Sequence, residues 1–276
     1  MSSRWTGLLS ALVVALCAPA GALAQDLIGD DPPEGTPLSA NELEGTGRTM
    51  EAGKHLVSVA GRYRYGVSEW FQVGTTGYEW MAGPNLNLGF TPYADDKHAI
   101  SIELEGLTDY RFGTKAGTAT AIYSLGPAVG SRFNVGVAFS WQDVDAEVEI
   151  SWKEKDAVVP EPDPVDISAR FVGIPLHLGY DLAVNDVQMV RFWFNPYVYY
   201  TIDSEQDLDK PIFPFNSGIA YYRGYDRFRV GAGATMSNLG LGILRELEAL
   251  ALDAERDIPA VPDLLPMPFL RLYWVL

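Results

Sequence analysis

The sequence predicts an all-β chain, a transmembrane antiparallel up-and-down β-barrel of about twelve strands with one amphipathic helix in its last loop. Three observations predict it. In Arg132–Gln142 (RFNVGVAFSWQ), Phe133, Val135, Val137, Phe139 and Trp141 fall on one side of an extended chain, and Arg132, Asn134, Gly136, Ala138, Ser140 and Gln142 on the other. Similar segments recur through most of the chain, whereas no segment after the first 24 residues has the twenty consecutive apolar residues of a transmembrane helix. Aromatics are abundant (Trp 7, Tyr 14, Phe 12), and many sit at strand ends. Strands of about ten residues, rising roughly 3.3 Å per residue with a tilt near 40°, span about 25 Å, the height of the apolar band of a membrane barrel.

Residues 1–24 read as a secretory signal: Arg4 is the charged start, Leu8 to Cys17 the apolar run, and Ala22-Leu23-Ala24 the cleavage site, so the mature chain is expected to begin at Gln25. A lipoprotein reading at Cys17 is disfavoured by the bulky Leu16. With the signal removed no cysteine remains, which excludes disulfides and thiolate chemistry from the mature chain. The formal charge of −16 becomes −17 when Arg4 leaves, 19 basic residues against 36 acidic, which is not the footprint of a nucleic-acid binder. No phosphate loop, dinucleotide fingerprint or zinc motif is present, and no cofactor is expected.

Gln25 to Gly53 is rich in Pro, Glu, Asp and Gly and predicts a flexible N-terminal lead-in; the barrel is expected over 54–276. In the first predicted strand, 54–65, Val57, Val59, Tyr63 and Tyr65 oppose Ser58, Ala60, Arg62 and Arg64. Gly66-Val67-Ser68-Glu69 turns the chain, and Phe71 and Val73 begin the return strand. The string RYRYGVSEWFQVG resembles a turn motif of bacterial outer-membrane transporter-like (porin-like) barrels: Tyr65, Gly66, the aliphatic Val67, Ser68, the acid Glu69, then alternation through Phe71 and Val73 to Gly74. The close match covers about fifteen residues and implies an architecture in a Gram-negative outer membrane, not a substrate.

Further strands are expected at 80–91 (Leu86, Leu88, Phe90 outward), 98–109 (Ile100, Ile102, Leu104 against Ser101, Glu103, Glu105), 116–126, 132–152, and 167–180. In the last, Pro175 cannot donate to a ladder, so a bulge is expected there. At 187–201, Phe192, Phe194, Val198 and Tyr200 oppose Arg191, Trp193, Asn195 and Tyr197. A hairpin over 213–222 and 227–236 follows, and Met267–Leu276 closes the chain. This aromatic terminal strand resembles the signal read by the barrel-assembly machinery, although it ends in Leu276 with Trp274 two residues earlier. Short links at 66–69, 92–97, 127–131, 183–186 and 223–226 predict periplasmic turns, and longer ones at 143–166, 203–212 and 238–265 predict external loops. These segments make eleven strands where an even number is required, which places a hidden strand between Asn41 and Ala52; ten result if the weak early strands merge.

If the apolar sides meet lipid, Arg62, Arg64, Glu103, Glu105, Arg132, His177, Arg191, Arg227, Arg229 and Arg271 line the lumen. A midplane charge facing lipid costs roughly 2–4 kcal/mol, which favours this assignment. Two readings of the set stand: arginines and acids that pair and fill a narrow interior, weighted about two to one over a basic constriction that favours anions. The acidic loops, Asp143–Asp166 and Asp203–Asp209, read as solvated loops or as cation-bridged contacts to lipopolysaccharide, without a specific metal site. Leu241 to Asp257 carries an apolar stripe (Ile243, Leu244, Leu247, Leu250) opposite Arg245, Glu246 and Glu248, a helix for the rim or mouth. An enzyme needs a nucleophile beside a base, and none of His55, His98 and His177 sits in a short motif with a serine.

The expectation is therefore an outer-membrane barrel for porin-like passage of small solutes. A structural, adhesive or lipopolysaccharide-contacting barrel with a filled lumen is the alternative, and a lipid-modifying enzyme comes third.

Overall fold

The computed structural model describes residues 35–58, 62–76, 83–110, 113–148, 165–204, 211, 213–239 and 265–276. The predicted signal, most of both acidic loops and the 241–257 helix lie outside the described residues. Twelve strands follow one another: β1 (His55–Ser58), β2 (Arg62–Ser68), β3 (Phe71–Thr76), β4 (Asn85–Ala94), β5 (His98–Asp109), β6 (Thr114–Leu125), β7 (Arg132–Val148), β8 (Val165–Asn185), β9 (Gln188–Ser204), β10 (Phe215–Tyr225), β11 (Phe228–Ser237) and β12 (Leu265–Val275). Each pairs antiparallel with its sequence neighbours, and β1 pairs with β12, so the sheet closes into a barrel. Closure leaves the sheet without a free outer strand.

The twelfth strand does not come from 41–52. The chain reverses between Ser58 and Arg62, so that Leu56 pairs with Arg64 and Val57 with Tyr63. Partners across this hairpin have the same parity, so the alternation of the sequence runs through the reversal unbroken and reads as one strand. Short links between β2 and β3, β4 and β5, β6 and β7, β8 and β9, and β10 and β11 all lie at one end, the turn end. The start of β1 and the C-terminus meet there, where His55 N donates to Leu276 O at 2.9 Å.

The outer face is apolar. Val137 is 46% exposed while its neighbour Ala138 is 8% exposed, and Phe133 is 45% exposed while Arg132 is 2% exposed. Ile100, Ile102 and Leu104 on β5, and Phe192 and Phe194 on β9, repeat the pattern. Near the turn end the outer aromatics pair up: His55 stacks on Tyr65 with centroids at 4.5 Å, Phe71 meets Phe90 at 4.8 Å, and Phe228 meets Trp274 at 5.0 Å. Towards the other end of β7 and β8 the outer row turns charged at Asp143 and Arg170, which form an exposed ion pair of 2.6 Å.

The expected bulge at Pro175 is present as a register shift between Ile174 and Pro175. Its consequence falls on β9, where Tyr199 pairs with Ile174 but Tyr197 pairs with Pro175, so Val198 is the extra residue. A bulge inserts one residue and reverses the facing of everything beyond it. Tyr200, read outward from the sequence, therefore turns inward and packs with Ile202, Phe171 and Ala169.

The interior at the turn end is filled by the chain's own N-terminal segment. Where the sequence predicts a flexible lead-in, residues 36–50 pack against the wall: Leu38, Ala40, Leu43, Thr46, Thr49 and Met50 are all buried. Leu38, Leu43 and Met50 join Leu56, Met189, Ala220, Tyr222 and Tyr273 in the main apolar cluster. The compositional signs of disorder were outweighed because the barrel offers this segment both apolar neighbours and partners for its backbone.

Candidate functional site

The N-terminal segment forms a plug that enters at the turn end and returns to it. Leu38 N donates to Asp186 O (2.8 Å) and Ala40 N to Ala128 O (2.7 Å), with Ser39 bridging antiparallel to Val129. A short 3₁₀ turn, Ala40–Glu42, follows, its start capped by Ser39 Oγ accepting from Asn41 N. On the return leg, Gly47 N donates to Ser124 Oγ (2.6 Å), Thr49 N to Thr91 Oγ1 (2.9 Å) and Met50 N to Gln72 Oε1 (2.8 Å). Gly53 N then donates to Gly66 O (2.8 Å) and the chain enters β1. Wall side chains thus satisfy plug amides that would otherwise be buried without partners.

Between the two legs the plug presents Glu42, Glu44 and the carbonyl of Gly45. Arg229 on β11 grips Glu42 at two points, Nε to Oε2 at 2.8 Å and Nη2 to Oε1 at 3.1 Å. Arg64 on β2 donates to the backbone oxygen of Glu42. Arg271 on β12 pairs with Glu44, and Arg62 Nε on β2 lies 3.6 Å from the same Glu44 oxygen. Burial pushes the Glu44 carboxyl up, but the Arg271, Arg62 and Arg64 guanidiniums outweigh it and hold it well below the ordinary carboxylate range. Gly45 O accepts from His177 Nε2 (3.0 Å) and Arg191 Nη2 (3.2 Å).

The remaining charges are arranged on the wall. Arg62 pairs with Glu105 at 2.5 Å and 2.8 Å. Asp181 on β8 sits between Arg132 Nε (2.7 Å) and Arg191 Nε (3.1 Å). Glu103 is buried on the same face of β5 as Glu105. Beside the Arg62–Glu105 pair lies a cavity of about 170 Å³, whose lining includes Thr76, Asn85, Asn87 and Thr118.

The sequence-predicted residues Arg62, Arg64, Glu103, Glu105, Arg132, His177, Arg191, Arg229 and Arg271 fall on the inner side of the wall, and all but Glu103 and Glu105 touch the plug or Asp181 directly, Glu105 joining through Arg62. Arg227 does not join them. It is exposed at the β10–β11 link, where the alternation that would aim it inward has already ended. The acids Glu42, Glu44 and Asp181 were missed. Asp181 shares parity with His177 and Gly179, so extending the alternation by one step would have found it. Glu42 and Glu44 lie in an aperiodic stretch, and the only hint was the excess of lumenal arginines over acids.

The histidines are engaged elsewhere than with serines. His55 Nδ1 meets Tyr63 Oη at 2.8 Å and His98 Nδ1 meets Tyr123 Oη at 2.7 Å, both on the outer face, while His177 serves the plug. No protein-family model matches the chain, and no curated protein matches it.

Proposed function

We propose that this chain is an outer-membrane β-barrel that admits small solutes when its N-terminal plug moves, and that the plug is its resting closure. The membrane part of the reading rests on the inverted faces of the wall. A water-soluble protein does not ring itself with half-exposed Ile, Val, Leu and Phe while burying arginines, because the exposed apolar area would drive association. In lipid the same arrangement is the low-energy one, and a closed sheet satisfies every ladder hydrogen bond. The passage part rests on one observation: the plug meets the wall through many hydrogen bonds and ion pairs between its backbone or carboxylates and wall side chains. Such contacts can be handed over to a solute that offers equivalent acceptors, whereas a purely apolar seat could not.

A second reading, a permanently filled structural barrel, is favoured by the full burial of Leu38, Leu43 and Met50. Single-channel recording of the refolded mature chain separates the two. Intermittent openings are expected from the unmodified protein. A Ser39→Cys/Val129→Cys pair, placed at the antiparallel bridge, should abolish them when oxidised and restore them on reduction. A chain that inserts but never opens, with or without reductant, would establish the filled barrel and remove the passage reading.

A further inference from the structure

The wall surrounding the plug is arranged for carboxylates. Four arginines from three strands, Arg62 and Arg64 on β2, Arg229 on β11 and Arg271 on β12, converge on Glu42-Leu43-Glu44. The Arg229 grip on Glu42 is the two-point fork that matches a planar carboxylate. Arg64 carries a second, independent signal. It is 1% exposed and gives Nη2 to the Glu42 backbone, yet its Nε and Nη1 have no hydrogen-bond partner. A buried guanidinium with idle donors is expensive, so the site has more donor capacity than the plug uses.

The charge count points the same way. Around the plug the wall supplies Arg62, Arg64, Arg132, Arg191, Arg229 and Arg271 against Glu103, Glu105 and Asp181. Against this excess of three the plug sets Glu42 and Glu44, while its own Arg48 is turned to Asp95 O, and the departure of the two carboxylates leaves three uncompensated cations on the wall. Water alone is a poor replacement for two carboxylates at such a cluster.

We propose that Glu42 and Glu44 act as built-in surrogates at a carboxylate-binding site formed by Arg62, Arg64, Arg229 and Arg271, and that a small solute bearing two or more carboxylates takes their place. The plug is then a competitive inhibitor tethered to its own barrel. This rests on the plugged-barrel reading above, but the binding itself does not require passage. Arg64, with its spare donors, contacts the solute more fully than it contacts the plug, which gives the solute differential affinity for the open state. One member of the cluster, Arg62, also lines the cavity beside Glu105.

Calorimetric titration of the detergent-folded mature chain with citrate tests this. Competition by the plug lowers the apparent affinity by the fraction of open molecules, so Glu42→Gln/Glu44→Gln should bind citrate at least about tenfold more tightly than the unmodified chain. Adding Arg64→Gln to that double variant should take back most of the gain. Equal citrate affinity with and without the two glutamates, or indifference to Arg64→Gln, would overturn the proposal. Inorganic phosphate binding as tightly as citrate would also overturn it, since the site would then select charge and not paired carboxylates. Should the double variant fail to fold, limited proteolysis of the unmodified chain decides: citrate, but not sodium chloride of equal ionic strength, should speed cleavage within 36–50, and no acceleration refutes the site. Citrate binding without channel openings would keep the site and discard passage; openings without citrate binding would do the reverse.

Discussion

Arg132 at the start of β7 and Asp181 on β8 are direct cross-strand partners, and their side chains, both wholly buried, meet Nε to Oδ2 at 2.7 Å. Asn134 adds its amide to the same carboxylate oxygen at 3.2 Å, and Arg191 Nε lies 3.1 Å from the other oxygen. Asp181 therefore compensates two guanidiniums, one of which also reaches the plug through Gly45. Removing its charge while keeping its shape leaves both arginines buried without a counter-ion. Asp181→Asn should cost about 3–5 kcal/mol of barrel stability. A denaturant titration in detergent, read by the gel-mobility difference between folded and unfolded chains, should show the midpoint fall. An unchanged midpoint would mean that solvent, and not Asp181, stabilises this pair of arginines.

At Gly47 the plug backbone lies tight against the wall. A Cβ there would lie 2.5 Å from Ala99 O and 2.8 Å from Ala99 C, atoms of the β5 ladder that cannot retreat without breaking pairs with β4 or β6. Gly47→Ala should weaken plug docking by roughly 1–3 kcal/mol. Proteolysis within 36–50 should then accelerate while the barrel itself remains folded. Gly106→Ala serves as the comparison, because a Cβ at that position meets nothing within 4 Å.

Val137 and Ala138 test which face meets lipid. Val137→Arg places a charge on the outer face of β7, between Phe133 and Phe139 in its apolar row, and should cost about 2–4 kcal/mol of insertion. Folding yield into phospholipid vesicles should drop sharply, whereas Ala138→Ser, on the inner face, should fold as the unmodified chain does. Equal yields would contradict the membrane reading of the outer face.

Glu44 sets the acid response of the plug. Its carboxyl is held well below its unfolded value, against the effect of burial, by Arg271, Arg62 and Arg64. A depressed folded value means that the stabilising contribution is complete above the unfolded value, about 4.3 for Glu, and is lost as pH falls through the lower folded value. The open fraction should thus stay flat from about pH 7 to about pH 5 and rise only in stronger acid. Glu44→Gln should raise the open fraction at neutral pH, and its difference from the unmodified chain should shrink as the acid limit is approached. A rise in opening between neutrality and about pH 5 in the unmodified chain would assign the control to another group.

The division between what could be read early and what could not follows from the range of the interactions. Arg132–Gln142 announces an apolar and a polar face because a strand alternates residue by residue, whatever its neighbours are. The same local rule separated short links from long ones and set Arg62, Arg132, Arg191 and Arg229 on the inner face. It failed where geometry depends on a partner. The reversal between Ser58 and Arg62 preserves parity and so leaves no mark in the pattern, and the extra residue Val198 turns Tyr200 inward only because Pro175 shifts the register of the opposite strand.

The sequence by itself determined the all-β alternation, the inner and outer faces and the alternation of turns with loops, because each is set within a few neighbouring residues. Only the tertiary structure decided that Glu42 meets Arg229 and that Glu44 meets Arg271, across 187 and 227 positions of chain. An aperiodic segment has no face of its own. Its place was chosen by the closed wall, which gathers arginines from distant strands around one lumen and makes two carboxylates from the N-terminal segment the nearest means of balancing them.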